Sequence, residues 1–186
     1  MTTAASPMRD RILRVALELF TEHGYDGTSL REIAEKLDVT KAALYYHFKS
    51  KDAILLTLVN DWREQTMSLV EWGRDQPFSP DLQQEMLRRL SALLTGNHKT
   101  QRLMFENQPV IRGMVERDNA EHGRPNKYWI FEFVSVITPP DADAFTRAAV
   151  RTAVFGLSTS AMQPGSKEED HQAALDVALQ VLALKK

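Results

Sequence analysis

Residues 29 to 51 constrain the fold more tightly than any other stretch of the chain. Ser29 and Glu32 stand in the S-x-x-E spacing of a capping box, which starts a helix by satisfying two orphan amides reciprocally. Leu30, Ile33, Ala34 and Leu37 follow at the period of a buried helical stripe. Lys36 falls in the last turn, where the helix dipole favours a cation. Asp38 and Val39 turn the chain, and Thr40 offers an N-cap to a second, shorter helix. In that helix Leu44 and Phe48, four apart, face one core. Its other faces carry Lys41, Tyr45, Tyr46 and His47, groups able to donate to phosphates or base edges. Helix, three-residue turn and short helix have the size and order of a helix-turn-helix.

A two-helix unit needs a third wall, and the preceding residues supply one. Residues 8 to 24 form an amphipathic pattern through Ile12, Leu13, Ala16, Leu19 and Phe20. Gly24 is placed to end that helix as a C′ residue, and Tyr25, Asp26 and Gly27 turn the chain. Net charge is −2 and the pI is about 6.2, which argues against a generic basic coat for nucleic acid. The local charge differs: Lys41, Lys49 and Lys51 lie within residues 40 to 51, and no carboxylate does. The chain has no cysteine, so neither a disulfide framework nor a thiolate metal site is possible. Its polar N-terminus lacks the apolar core of a signal peptide, and no apolar run reaches the roughly 20 residues of a membrane helix. A cytoplasmic protein with no membrane partner is expected.

On residues 16 to 20, 24 to 34 and 39 to 51, this sequence resembles the tetracycline-repressor (TetR) family of bacterial transcriptional regulators. The resemblance covers about the first quarter of the chain. It implies that Thr28, Tyr45 and Lys51 contact phosphates, and that Arg31, Lys41, Ala42, Ala43, Tyr46 and His47 approach bases or the nearby backbone. Thr40, with the outward amides of the helix it caps, and Lys49 complete the expected DNA-binding set. Ala42 and Ala43 can at most touch thymine methyls, which leaves direct readout mainly to Lys41 and Arg31. One position departs from the family: Ala53 stands where a carboxylate often completes a capping box with Ser50, leaving Asp52 to serve the dipole.

The remainder is expected to be helical, giving an all-α chain of about nine helices. Residues 1–50 form the helix-turn-helix domain, and residues 51–186 a larger helical domain for ligand binding and dimerisation. Residues 51–72 form a connecting helix without proline or internal glycine, and 73–80 a loop. Further helices are expected over 81–94, 98–107, 109–118 and, with Pro125 at N1, on to 137. Residues 129–137 are rich in β-formers, so a strand is the alternative there. Residues 141–185 hold two dimerisation helices. The first carries small residues at Ala149, Ala153, Gly156 and Ser160. The second, with Ala174, Ala178 and Leu182, has an apolar stripe wide enough to be covered on two sides.

Trp62, Met67, Met86, Met104, Phe105, Trp129 and Phe133 are the residue types that would line an apolar effector pocket; they are equally the stuff of an ordinary core. No metal-ligand spacing, phosphate loop or catalytic motif occurs, so no enzyme, no cofactor and no metal is expected. The resemblance implies a homodimer on a two-fold DNA operator, with recognition helices about 34 Å apart or a multiple of it. The expected function is a repressor released from its operator by a small-molecule effector. The alternative is an effector-independent DNA-binding dimer that acts by architecture or through a protein partner.

Overall fold

The computed structural model describes residues 7–122, 129–163 and 165–184. Ten helices and no strand lie among them: α1 (Pro7–His23), α2 (Leu30–Leu37), α3 (Lys41–His47), α4 (Lys51–Arg74), α5 (Pro80–Gly96), α6 (His98–Glu106), α7 (Gln108–Glu121), α8 (Trp129–Ile137), α9 (Ala144–Ser160) and α10 (Glu168–Ala183). The all-α class holds, with one helix more than expected. Two compact units divide the chain, one comprising the described residues of Met1–Asp61 and Arg102–Arg124, the other those of Trp62–Gln101 and Pro125–Lys186.

In the first unit, the periodic apolar residues of the sequence become one core. Ile12, Ala16 and Phe20 of α1, Ile33 of α2, Leu44 of α3, and Ile54 and Leu55 of α4 are all 0% exposed. Leu103, Ile111 and Met114 close the same cluster from α6 and α7. Gly24 takes φ +79° just past α1, the left-handed conformation that glycine adopts without a Cβ penalty. Within this unit Asp118 is nearly buried, with Asn60 Nδ2 donating to it at 3.4 Å and His122 Nδ1 standing 3.1 Å from its carboxylate.

The second unit is built around α5, which starts at a Ser79 cap with Pro80 in its first turn and buries Leu82, Met86, Leu87, Leu90 and Leu94. Trp62 meets Trp129 edge-on at 6.0 Å, and Trp129 meets Phe133 at 6.4 Å. The Arg89 guanidinium lies 3.8 Å over the Trp72 ring, and Arg74 pairs with Glu132. Gln83 Nε2 donates to the Ile137 carbonyl at 2.7 Å, satisfying an acceptor at the end of α8. α10 packs on α9 and α5.

The helix expected over 129–137 is present and its strand alternative is not, the end of α4 shifts, and the small-residue stripe is partly used within the chain. Residues 129–137 are helix, because Phe133 and Ile137 sit one turn apart and both are fully buried; packing of that stripe outweighs β-propensity, which is a weak prior. The expected start of this helix at Pro125 falls outside the described residues. The loop begins after Arg74 and not at Gly73. The small-residue stripe is used within the chain, with Ala153 and Ala178 only 1% and 2% exposed where α9 meets α10.

Among the described residues nothing covers the second side of α10: Val177 is 58% exposed, and Leu184, just past the helix, 57%. The remaining stripe positions divide. Ala149, Ser160, Ala174 and Leu182 are half-buried, and Gly156 is exposed.

Gly73 sits inside α4 because of its neighbours. A Cβ there would come within 2.7 Å of the Met86 thioether and 2.9 Å of Val136 Cγ1, and Met86 is fully buried. Overpacking costs about 1–3 kcal/mol, against roughly 1 kcal/mol gained by removing a mid-helix glycine. Gly73→Ala is therefore expected to lower unfolding free energy by about 1 kcal/mol in urea titration. A stabilised variant would mean that Met86 and Val136 move aside freely.

Candidate nucleic-acid interface

α3 has only seven residues, too few for a helix to persist alone in water, so its position depends on what holds its two ends. Upstream, the capping box of Ser29 and Glu32 is complete: Ser29 N donates to Glu32 Oε2 at 2.7 Å and Glu32 N to Ser29 Oγ at 3.2 Å. Hydrogen bonds from the Ser29 side chain and from its backbone hold the Glu32 carboxyl below its ordinary pKa. α2 then ends in a Schellman arrangement, with Val39 N on the Ala34 carbonyl and Asp38 N on that of Glu35. Asp38 occupies the left-handed region at φ 55°, ψ 46°, which Asp tolerates better than most residues. This tight turn ends α2 and delivers the chain to the Thr40 cap of α3.

Thr40 caps α3, its hydroxyl accepting from Ala43 N at 3.1 Å. Leu44 and Phe48 anchor the helix, at 0% and 4% exposure. Phe48 leaves the helix in an extended conformation, and Ser50 accepts from Ala53 N at 3.0 Å to start α4. The missing carboxylate at Ala53 thus leaves the Ser50 half of the cap intact. The Arg9 guanidinium lies over the Phe48 ring at 5.2 Å, and Arg11 reaches the Leu37 carbonyl at the end of α2. Both fasten α1 to the motif, and neither was singled out in the sequence.

With its anchors inward, α3 presents Lys41, Ala42, Ala43, Tyr45 and Tyr46 to solvent, Tyr46 being 79% exposed. His47 is half-buried with its ring edge-on to Tyr46 at 5.3 Å. The Lys41 ammonium stands 5.5 Å from the Tyr45 ring, and Lys49 Nζ donates to the Tyr45 carbonyl at 3.0 Å. Arg31 is exposed on α2, its Nε paired with Glu35 Oε1 at 2.7 Å; the pair leaves the two terminal nitrogens of the guanidinium for other acceptors. Glu35 was not singled out either, though its i, i+4 spacing from Arg31 was a legible signal.

Of the expected phosphate contacts, Thr28 faces inward and Lys51 is partly committed inside the protein. Thr28 is 2% exposed, and its hydroxyl bonds the Leu19 and Gly24 carbonyls at 3.1 and 2.9 Å. It ties the α1–α2 turn together from inside. Lys51 Nζ donates to the Tyr25 carbonyl at 2.6 Å, which leaves N–H donors of the ammonium for a further acceptor.

The residues expected to line an effector pocket do not form one group. Met104 and Phe105 belong to the first unit, and Trp62, Met67, Met86, Trp129 and Phe133 to the second. Trp62, Met86 and Phe133 are core, at 3%, 0% and 0% exposure, while Phe105 is 58% exposed. Met67, Met104 and Trp129 are half-buried. An open groove of about 490 Å³ lies between α9 and α10, bordered by Thr152, Gly156, Ser160, Ala173 and Val177.

Comparison with known proteins places these features among relatives. The family described as bacterial regulatory proteins, tetR family, matches residues 12–58. The biofilm operon icaADBC HTH-type negative transcriptional regulator IcaR of Staphylococcus aureus is 53% identical over 47 residues, 25% of each chain. The protein named Probable HTH-type transcriptional regulator YttP of Bacillus subtilis is 30% identical over 95 residues, 51% of this chain and 46% of that one. The matches to these curated relatives thus span from a quarter to just under half of their lengths. Among solved structures, the TetR family transcriptional regulator PfmR of Thermus thermophilus has the same fold, with a TM-score of 0.70 at 20% identity over 95% of this chain and 100% of that one.

Burial, reinforced by its hydrogen bond to Asp52, pushes the Tyr25 phenol well above its ordinary pKa. The unfolded phenol ionises near pH 10 while the folded one stays protonated. The contribution to stability is therefore complete below about pH 10 and declines as pH rises from there toward the folded value. Urea titrations from pH 9 to 11 are expected to show a steeper loss for the wild type than for Tyr25→Phe. Equal slopes would refute the assignment.

Proposed function

We propose that the chain, whose residues 12–58 match the tetR family of bacterial regulatory proteins, is a homodimeric transcriptional repressor acting in the cytoplasm on a two-fold DNA operator. One observation carries the reading: α3 is anchored by Leu44 and Phe48 and turns Lys41, Tyr45 and Tyr46 outward. Such a helix inserted in a major groove brings its N-terminal residues to base edges. Lys41, at the first position of α3, and Arg31, with its two free terminal nitrogens, are the side chains suited to guanine O6 and N7. Tyr45 and Lys49 flank them and suit phosphates, which fix register without reading sequence. With so few base-reading groups, part of the specificity would come from DNA shape. No catalytic step belongs to this reading.

Dimerisation through α9 and α10 is supported by the α10 face that the described residues leave open, where Val177 borders the groove and Leu184 is exposed just past the helix. A second copy placing the same surface against it would bury both under one two-fold axis. That axis is what matches a protein to an inverted repeat.

Release by a small molecule is the part of the proposal with least room in the described core. Trp62, Met86 and Phe133 are packed, so an effector using them would have to favour a conformation in which they part, through differential affinity for that state. This packing favours the alternative, an effector-independent dimer. A broad ligand screen on the protein–DNA complex separates them: one compound that lowers operator affinity establishes release, and none leaves the alternative.

Selection of duplexes from a random DNA library tests the whole proposal and is expected to enrich an inverted repeat; failure to enrich any sequence overturns it. On the enriched duplex, Lys41→Ala is expected to cost about 1–3 kcal/mol of discrimination. A scrambled duplex should lose much less. Equal losses on both would remove Lys41 from base reading.

A further inference from the structure

Arg31 and Glu35 lie four residues apart on the exposed side of α2, away from the buried Ile33, Ala34 and Leu37. Arg31 Nε donates to Glu35 Oε1 at 2.7 Å, and the two side chains are 80% and 61% exposed. An ion pair so exposed adds little to stability. Its order along α2 is also the weaker one, with the cation toward the N-terminus and the anion toward the C-terminus, each opposed by the helix dipole. Other charged residues serve the fold here. Glu32 completes the capping box, and Lys36 Nζ stands 3.8 Å from Glu22 of α1. The helix itself gains little from the Arg31–Glu35 pair.

What the pair changes is the arginine. An unrestrained arginine turns about several bonds and meets phosphates, which carry no sequence information, as readily as bases. With Nε bonded to Glu35, the guanidinium plane is tied to α2, and the edge bearing both terminal nitrogens is left open. That edge is the fork that matches O6 and N7 of a guanine. The glutamate also offsets the arginine's charge. A pair with no net charge gains little from the general attraction of phosphates, so what Arg31 adds to binding comes through directed bonds.

We propose that Glu35 is a positioning residue for sequence reading: it holds Arg31 in the geometry that meets a base and weakens its pull on the phosphates of any sequence. This rests on the DNA-binding reading above. The role has a signature that a structural residue lacks. Removing the carboxylate weakens discrimination at the base pair that Arg31 reads, while binding to unrelated DNA becomes tighter. Loss of the fold would weaken both. The two effects also separate chemically, because Glu35→Gln keeps an acceptor for Arg31 Nε but no longer offsets its charge.

The test uses the full-length protein, the duplex enriched by the wild type, single base-pair variants of that duplex and a scrambled one, across salt concentration. Arg31→Ala is expected to lose about 5- to 150-fold of discrimination at one base pair of each half-site, the worth of a bidentate contact, and so to mark that pair. Glu35→Ala should lose about three- to tenfold at the same base pair, the effect of freeing one long side chain, and nothing at the others. Its affinity for the scrambled duplex should rise, with a salt slope steeper by up to about 0.9. Glu35→Gln should steepen the slope likewise and keep most of the discrimination. Added to Arg31→Ala, the Glu35→Ala change should cost no further discrimination. Glu116→Ala breaks a pair of the same order with Arg112 on α7, outside the helix-turn-helix, and should leave base preference as it is. Discrimination kept by Glu35→Ala, lost equally at every base pair, or lost equally in Glu35→Gln or Glu116→Ala overturns the proposal. So does an Arg31→Ala variant that marks no base pair. If the wild type enriches no duplex, the DNA-binding reading fails first and the proposal falls with it, a result that involves no variant and is told apart by that.

Discussion

A seven-residue helix cannot secure its own backbone in water, because nucleation fixes several residues for a single hydrogen bond. Everything notable about the first unit compensates for this in α3. Thr40 satisfies an amide at its start, the Schellman turn delivers the chain to that cap, and Phe48 leaves in an extended conformation toward the Ser50 cap. Leu44 and Phe48 then press the helix onto a core supplied by α1, α2, α4, α6 and α7. The outward face has few obligations to the fold, which frees Lys41, Tyr45 and Tyr46 to be chosen for what they meet outside.

Local structure was legible where one residue type has one mechanical use. Gly24 as the C′ residue of α1, Ser29 with Glu32 as a capping box, and Thr40 and Ser50 as N-caps all stand where their spacing puts them. The all-α class was legible for the same reason. What escaped were contacts between residues far apart in sequence. Nothing in the local pattern of Lys51 says that its ammonium lies on the carbonyl of Tyr25, or that Thr28 turns inward to the Leu19 carbonyl. Gly73 looked like a break because glycine often is one; here the approach of Met86 and Val136 requires the absence of a Cβ.

The middle of the chain shows the limit of composition as a guide. Trp, Met and Phe serve a pocket and a core equally well, and only packing separates the two. Trp62, Met86 and Phe133 proved to be core. The small residues of α9 were understood as a surface for close approach, which they are. The helix that makes that approach at Ala153 and Ala178 is α10 of the same chain, and the open surface moved one step outward to Val177 and Leu184.

Pairing of copies through that open surface would couple DNA occupancy to abundance. A face carrying Val177 and Leu184 at more than half exposure is uncomfortable in water, so pairing of copies would make the fold's own stability rise with protein concentration through mass action. Below the dissociation constant of the pair, the free chain would be both less stable and unable to span two half-sites. Occupancy of a two-fold site would then climb with roughly the square of chain concentration, turning a modest change in synthesis or proteolysis into a steep change in DNA bound.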